Sequence, residues 1–139
     1  MGKLETNATE LKRRKASVQC TTEKSIVDLL EWCIDNGYAI DRAGLVVGSV
    51  IDPDSIANSH IRAHALEGQL FRTMLEAALE ARGVRCTIFR ERDACAKATN
   101  LFRQPLGQIK RTLVDLGRSK SGPWRADQKL AALAAWILL

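Results

Sequence analysis

The sequence predicts an α/β domain: a short, mostly parallel sheet flanked by helices, followed by a helical C-terminal third. Leu45-Val46-Val47-Gly48 is an unbroken, largely β-branched apolar run, the pattern of a strand covered on both faces. Thr87-Ile88-Phe89-Arg90-Glu91-Arg92-Asp93 closes a second strand in a charged cluster and leads into alanine-rich sequence. Helical spacing of apolar residues fills the interval between the two strands, as a parallel crossover requires. The strand ends are thus expected to gather carboxylates and arginines at one rim, the side of an open α/β sheet where ligands bind.

From the N-terminus, residues 1–15 are polar and include Lys12-Arg13-Arg14-Lys15. They read as a poorly ordered or weakly helical basic arm ahead of one domain over 16–139. Ala16 to Cys20 reads as a short strand. Thr21 or Thr22 caps a helix carrying Ile26, Leu29, Leu30 and Cys33 at helical spacing, and Gly37 stops it. Gly44 to Ile51 is the clearest strand. Asp52-Pro53-Asp54-Ser55 is a turn. A long helix follows from Asn58 or Ser59 to Ala81, with Leu66, Leu70, Phe71, Met74, Leu75, Ala78 and Leu79 on its apolar face. Val84, Cys86 and Ile88 alternate with Arg85 and Thr87, a half-buried strand. Asp93 to Leu101 forms a short helix. Pro105 opens the next, which carries Leu106, Ile109, Leu113 and Leu116 as far as Gly117. Arg118 to Pro123 is a loop, and the last helix starts between Trp124 and Asp127 and buries Leu130, Leu133, Ala134 and Ile137. The predicted order is β-α-β-α-β followed by helices, with right-handed crossovers.

At 139 residues, with 46% hydrophobic and 27% charged residues, the chain has the composition of an ordinary folded domain. No apolar run reaches the ~18 residues of a membrane span, and no signal peptide opens the chain, so the expectation is a cytoplasmic protein without membrane contact. Cys20, Cys33, Cys86 and Cys95 are scattered, with no CxxC pair; they read as reduced thiols, Cys33 and Cys86 at core positions. The net charge of +5 is divided unevenly. Residues 21–60 carry Lys24 and Arg42 against seven acids, net −5, whereas residues 82–125 carry eleven basic residues against Glu91, Asp93 and Asp115, net +8. A basic side of this kind suits phosphate. Aromatic residues at 5% give a single-strand stacking platform little to build on.

Val46-Val47-Gly48-Ser49-Val50 with its turn through Asp54, Arg90-Glu91-Arg92 followed by Ala94, Ala96 and Ala98, and Asp127-Gln128-Lys129-Leu130-Ala131-Ala132 lie in an order that resembles one family. It is the YqgF/RuvX-type branch of the RNase H-like superfamily, relatives of the Holliday-junction resolvases. Over residues 16–139 the resemblance implies an abbreviated RNase H-like fold. It also implies a nucleic-acid-associated protein using Mg²⁺ or Mn²⁺, two ions clamping the attacking and leaving oxygens of a phosphodiester. Glu91 and Asp127 would be the catalytic carboxylates, Asp52, Glu91 and Asp127 the metal ligands, and Arg90, Arg92, Arg118, Lys120 and Arg125 the phosphate contacts. The departures bear on activity. The family's first strand carries Asp-x-Gly, and residues 1–20 hold no aspartate. Arg90 stands in place of the aspartate of Asp-Glu-Arg, and alignment on Ala131-Ala132 puts Gln128 at the last acid. Weak or absent nuclease activity is therefore expected of the chain alone, and a non-catalytic binding or assembly module is the alternative reading. The family's first strand runs beside the strand equivalent to Leu45–Val50. Its absence would leave an apolar edge of the kind proteins cover, so pairing through that edge is expected, in a homo-oligomer or a hetero-complex.

Two features stand apart from the resemblance. His60, His64 and Glu67 share one helical face at i, i+4 and i+7, a pattern able to bind Zn²⁺. Trp32, Trp124 and Trp136 read as core or interface anchors.

Overall fold

The apolar run at Leu45 lies in β1 (Arg42–Val47), which pairs in parallel with β2 (Arg85–Arg90) in the register Arg42 opposite Arg85 through Val47 opposite Arg90. The computed structural model describes residues 2–48 and 52–139. Among them the sheet has these two strands, joined by α2 (Ser59–Glu80) as a βαβ unit. Around it stand α1 (Gly2–Asp35), α3 (Glu91–Phe102), α4 (Leu106–Arg118) and α5 (Ala126–Leu138). The protein is thus mixed α/β and mostly helical, and the expected strand at Ala16–Cys20 is part of α1. The reason is local: no Gly or Pro interrupts residues 3–36, so a helix nucleated by the apolar face at Ile26 propagates backward at small cost per residue. The i, i+4 pairs Glu10–Arg14 and Gln19–Glu23 support that extension. The basic cluster at residues 12–15 therefore lies on a helix. The element order begins α-β-α-β. The far end of the expected strand Gly44–Ile51, residues 49–51, lies outside the described residues.

Strand alternation assigns the two faces of the sheet. Ala43, Leu45, Val84 and Cys86 face a cluster built on Ile26 of α1 and Ala78 and Leu79 of α2. Phe89 points the opposite way and is 2% exposed; Gly44 lies beneath its ring, and a Cβ at Gly44 would stand 3.0 Å from Phe89 Cε2 and 3.2 Å from Ala134 Cβ of α5. That close approach seats α5 on β1. Ala94, Ala98, Ile109, Leu113 and Leu133 form a second cluster joining α3, α4 and α5. The Phe102 and Trp136 rings stack over it, with centroids 4.3 Å apart. The result is a two-stranded sheet between one helical layer of α1 and α2 and another of α3, α4 and α5. No helix among the described residues is long and apolar enough to cross a membrane.

Three details differ from the sequence expectations. Helix α3 begins at Glu91 rather than Asp93, so Glu91 is a first-turn helical residue. Trp32 is exposed and so is not a core anchor, on a stretch that also exposes Leu29, Ile34 and Tyr38. Cys33 and Cys86 are half-buried, and all four cysteines are free thiols.

The loop after α4 is fixed by one tryptophan. Trp124 donates from Nε1 to the Leu113 carbonyl at 2.7 Å, with its ring against Gly117, where an added Cβ would fall 2.0 Å from Cδ1. Gly117→Ala therefore evicts the indole or bends α4. We expect a loss of about 1–3 kcal/mol, the range for overpacking, measurable as a lowered urea midpoint with the m-value unchanged.

Candidate functional site

Parallel pairing directs the C-terminal ends of β1 and β2 to the same rim, where β1 leads toward Asp52 and β2 passes directly into α3. The packing of α5 brings a third element there. Arg42, at the start of β1, donates to the Leu138 carbonyl at 3.0 Å, and Ala134 sits against Gly44 two residues further along the strand. Helix α5 thus runs antiparallel to β1, and its first turn, with Asp127, lies toward the strand ends. The topology accordingly directs Glu91 and Asp127 toward one end of the sheet, whereas the chain between β1 and Asp52 lies outside the described residues.

Their local chemistry is that of helix and turn termini. Asp52 caps the short 3-10 turn Pro53–Ser55: Oδ1 accepts from the Asp54 amide at 3.0 Å, and its carbonyl accepts from Ser55 N and Oγ. The predicted turn is present, and it occupies one oxygen of this carboxylate. Glu91 is exposed in the first turn of α3. The arginines beside it turn to Asp93: Arg90 Nε lies 2.6 Å from Oδ2, and Arg92 Nε 3.8 Å from Oδ1. Arg90 and Arg92 are thereby committed to a neighbouring acid. Asp127 is exposed in the first turn of α5, where its charge favours the positive end of the helix. Gln128, at the place of the family's last acid, accepts from the Arg125 amide at 3.0 Å and serves as a cap.

Among the described residues no group of three or more His, Cys, Asp or Glu side chains is arranged to hold a metal ion. Asp52, Glu91 and Asp127 form no such group there, whereas the Mg²⁺ or Mn²⁺ site that the resemblance implies needs several oxygens converging at about 2.0–2.1 Å. No buried polar or charged side chain is found among the described residues either.

The basic side is laid out on α4 and its loop. Arg118 pairs with Asp115 at 2.9 Å. Lys110, Arg111, Lys120 and Arg125 are exposed and have no carboxylate partner among the described residues. Lys97 lies over the Phe89 ring, 5.3 Å from its centroid. Arg118, Lys120 and Arg125 are thus near one another along the chain, whereas Arg90 and Arg92 sit at the end of β2.

Sequence reasoning did not single out the two grooves against β1. One, of about 410 Å³, is lined by Leu45–Gly48 and by His64, Gly68, Arg72 and Leu75 of α2. The other, of about 380 Å³, is lined by Ala39–Gly44 and by Ala135, Leu138 and Leu139. Each joins strand residues to a helix distant in sequence, so no local pattern announces it. Compared with known protein families, curated proteins and solved structures, the chain matches none.

The cysteines offer a check on this geometry. Burial pushes the Cys86 thiol above its ordinary range, and the nearby charges of Glu80 and Glu76 push it further, whereas Cys20 is exposed. The thiolate is the reactive form. In native protein at mildly alkaline pH, iodoacetamide should label Cys20 several-fold faster than Cys86, and denaturation should remove the difference; peptide mass spectrometry reads both rates.

Proposed function

We propose that the chain is a non-catalytic assembly module whose β1 edge pairs with the same edge of a second copy. The observation that carries this reading is an apolar strand left at a sheet edge. Five of the six β1 residues, Ala43 to Val47, are half-buried, and among the described residues the strand pairs only with β2. The Arg85 amide donates to the Asp41 carbonyl at 2.9 Å, and strand alternation then turns the backbone groups of Arg42, Gly44 and Val46 away from β2. These donors and acceptors are a template for another strand. An antiparallel pair about a twofold axis would set Gly44 against its own counterpart and Arg42 against the counterpart of Val46. Such an interface is self-complementary and closes as a dimer. The RNase H-like resemblance supports the same edge, because the first strand of that family would lie along it. The lack of a fitting carboxylate group favours the non-catalytic reading over the nuclease.

Val46→Pro removes an edge donor while leaving the groups that face β2 in place. Sedimentation equilibrium should give twice the 15.4 kDa chain mass for the unaltered protein and the single mass for the variant, with matching far-ultraviolet dichroism. A monomer at every concentration would refute the proposal.

A second reading, nucleic-acid binding, is favoured by the unpaired cations Lys110, Arg111, Lys120 and Arg125. Affinity for duplex DNA or RNA would then fall steeply with salt. Replacing Lys110 and Arg111 by glutamate should weaken binding several-fold or more and flatten the log–log salt slope. Fluorescence anisotropy across a salt series distinguishes this from a merely solvated basic surface, which would show no such slope change.

A further inference from the structure

The histidine pair at the start of α2 belongs neither to the strand edge nor to the basic side. His60 and His64 are exposed, one turn apart, with Nε2 atoms 3.3 Å from each other and rings at 89°. Two neutral imidazoles meeting through these nitrogens share one proton, and 3.3 Å is long for such a hydrogen bond. The spacing also suits a shared ion: two Zn–N bonds of about 2.0–2.1 Å at a tetrahedral angle would separate their nitrogens by about 3.3–3.4 Å.

Glu67 contributes differently from the sequence expectation. Its Oε2 lies 4.0 Å from His64 Nδ1, on the far side of the ring from the nitrogen that faces His60. A carboxylate there is beyond direct hydrogen-bond distance but stands on the side from which a ligating imidazole is oriented; it is not a third ligand. The positive end of α2 opposes a cation, but two of its amides are already satisfied, His60 N and Ile61 N both donating to Asn58 Oδ1. The Glu67 charge further offsets that opposition. His64 also lines the groove between α2 and the end of β1.

We propose that His60 and His64 form a two-imidazole site for a Zn²⁺-class transition cation, with Glu67 as a positioning residue behind His64. The remaining coordination positions are left to water. The ion would clip together the first two turns of α2. Mg²⁺, which prefers oxygen ligands, would not compete.

The test is calorimetric titration of the whole chain with Zn²⁺ after alkylation of its thiols, which removes cysteine as a competing ligand. One equivalent should bind, undisturbed by excess Mg²⁺. His60→Ala and His64→Ala, both at exposed positions, should each weaken binding at least about tenfold by reducing two-point attachment to one. Glu67→Gln should weaken it by a smaller factor without changing the stoichiometry. Zn²⁺ should raise the melting temperature of the unaltered protein and not that of His64→Ala, with dichroism confirming that each variant is folded. Absence of binding, or equal affinity in folded His64→Ala, would overturn the proposal.

Discussion

The arrangement of the whole molecule depends on the contact of Phe89 with Gly44. A 2% exposed ring sits over a residue without a side chain, and Ala134 of α5 closes the same space. A Cβ at position 44 would require Phe89 or Ala134 to give by a few tenths of an ångström, and interiors packed at crystal-like density have little room to absorb larger changes. Because α5 also carries Leu130, Leu133 and Trp136 into the cluster of α3 and α4, the seating of one helix on one glycine fixes the entire C-terminal layer. The opposite layer is simpler: Ile26, Ala78, Leu79 and Val84 bring α1 and α2 together against the other face.

This construction spends its apolar residues on two small clusters and leaves its charges outside. Arg90–Asp93 and Arg118–Asp115 are partly to largely exposed i, i+3 pairs, the class of ion pair that contributes at most about 1 kcal/mol. Their value here is organisational, since Asp93 holds Arg90 close to the end of β2. Among the described residues, β1 pairs along one edge only, with β2. Ala43 to Val47 of that strand are half-buried and flanked by two grooves, and self-pairing is the arrangement we propose for its edge. His64 of the histidine pair lines one of those grooves, yet the pair's chemistry is separable from the edge: one depends on backbone hydrogen bonds, the other on imidazole nitrogens.

Much of the layout was legible in the sequence because its signals are local. The β-branched run at Val46-Val47 and the start of α2 at Asn58 or Ser59, where the Asn58 side chain accepts from His60 and Ile61, each rest on a few residues. The Asp52 turn and the Pro105 helix start were readable for the same reason. Ala16–Cys20 was misread because a single valine among helix formers carries a weak strand signal, overruled by a helix already growing from residue 26. Glu91 was placed at a strand end, whereas the helix begins there. The partners of the arginines were likewise hidden: Arg90 and Arg92 flank Glu91 in sequence, but helical geometry offers them Asp93.

By itself, then, the sequence determined the existence and kind of β1, α2, β2, α4 and α5, the parallel pairing implied by a helical crossover, the uneven charge, and the histidine spacing. Those properties follow from short-range sterics, periodicity and hydrogen bonding. Tertiary structure alone decided that the sheet stops at two strands among the described residues, that α5 runs antiparallel to β1 over Gly44, and that Trp124 locks onto Gly117. It also decided that Glu91 and Asp127 each stand in the first turn of a helix. The first three depend on distances between residues far apart in the chain, set by how side chains fill the space between layers, and no local pattern encodes such a distance.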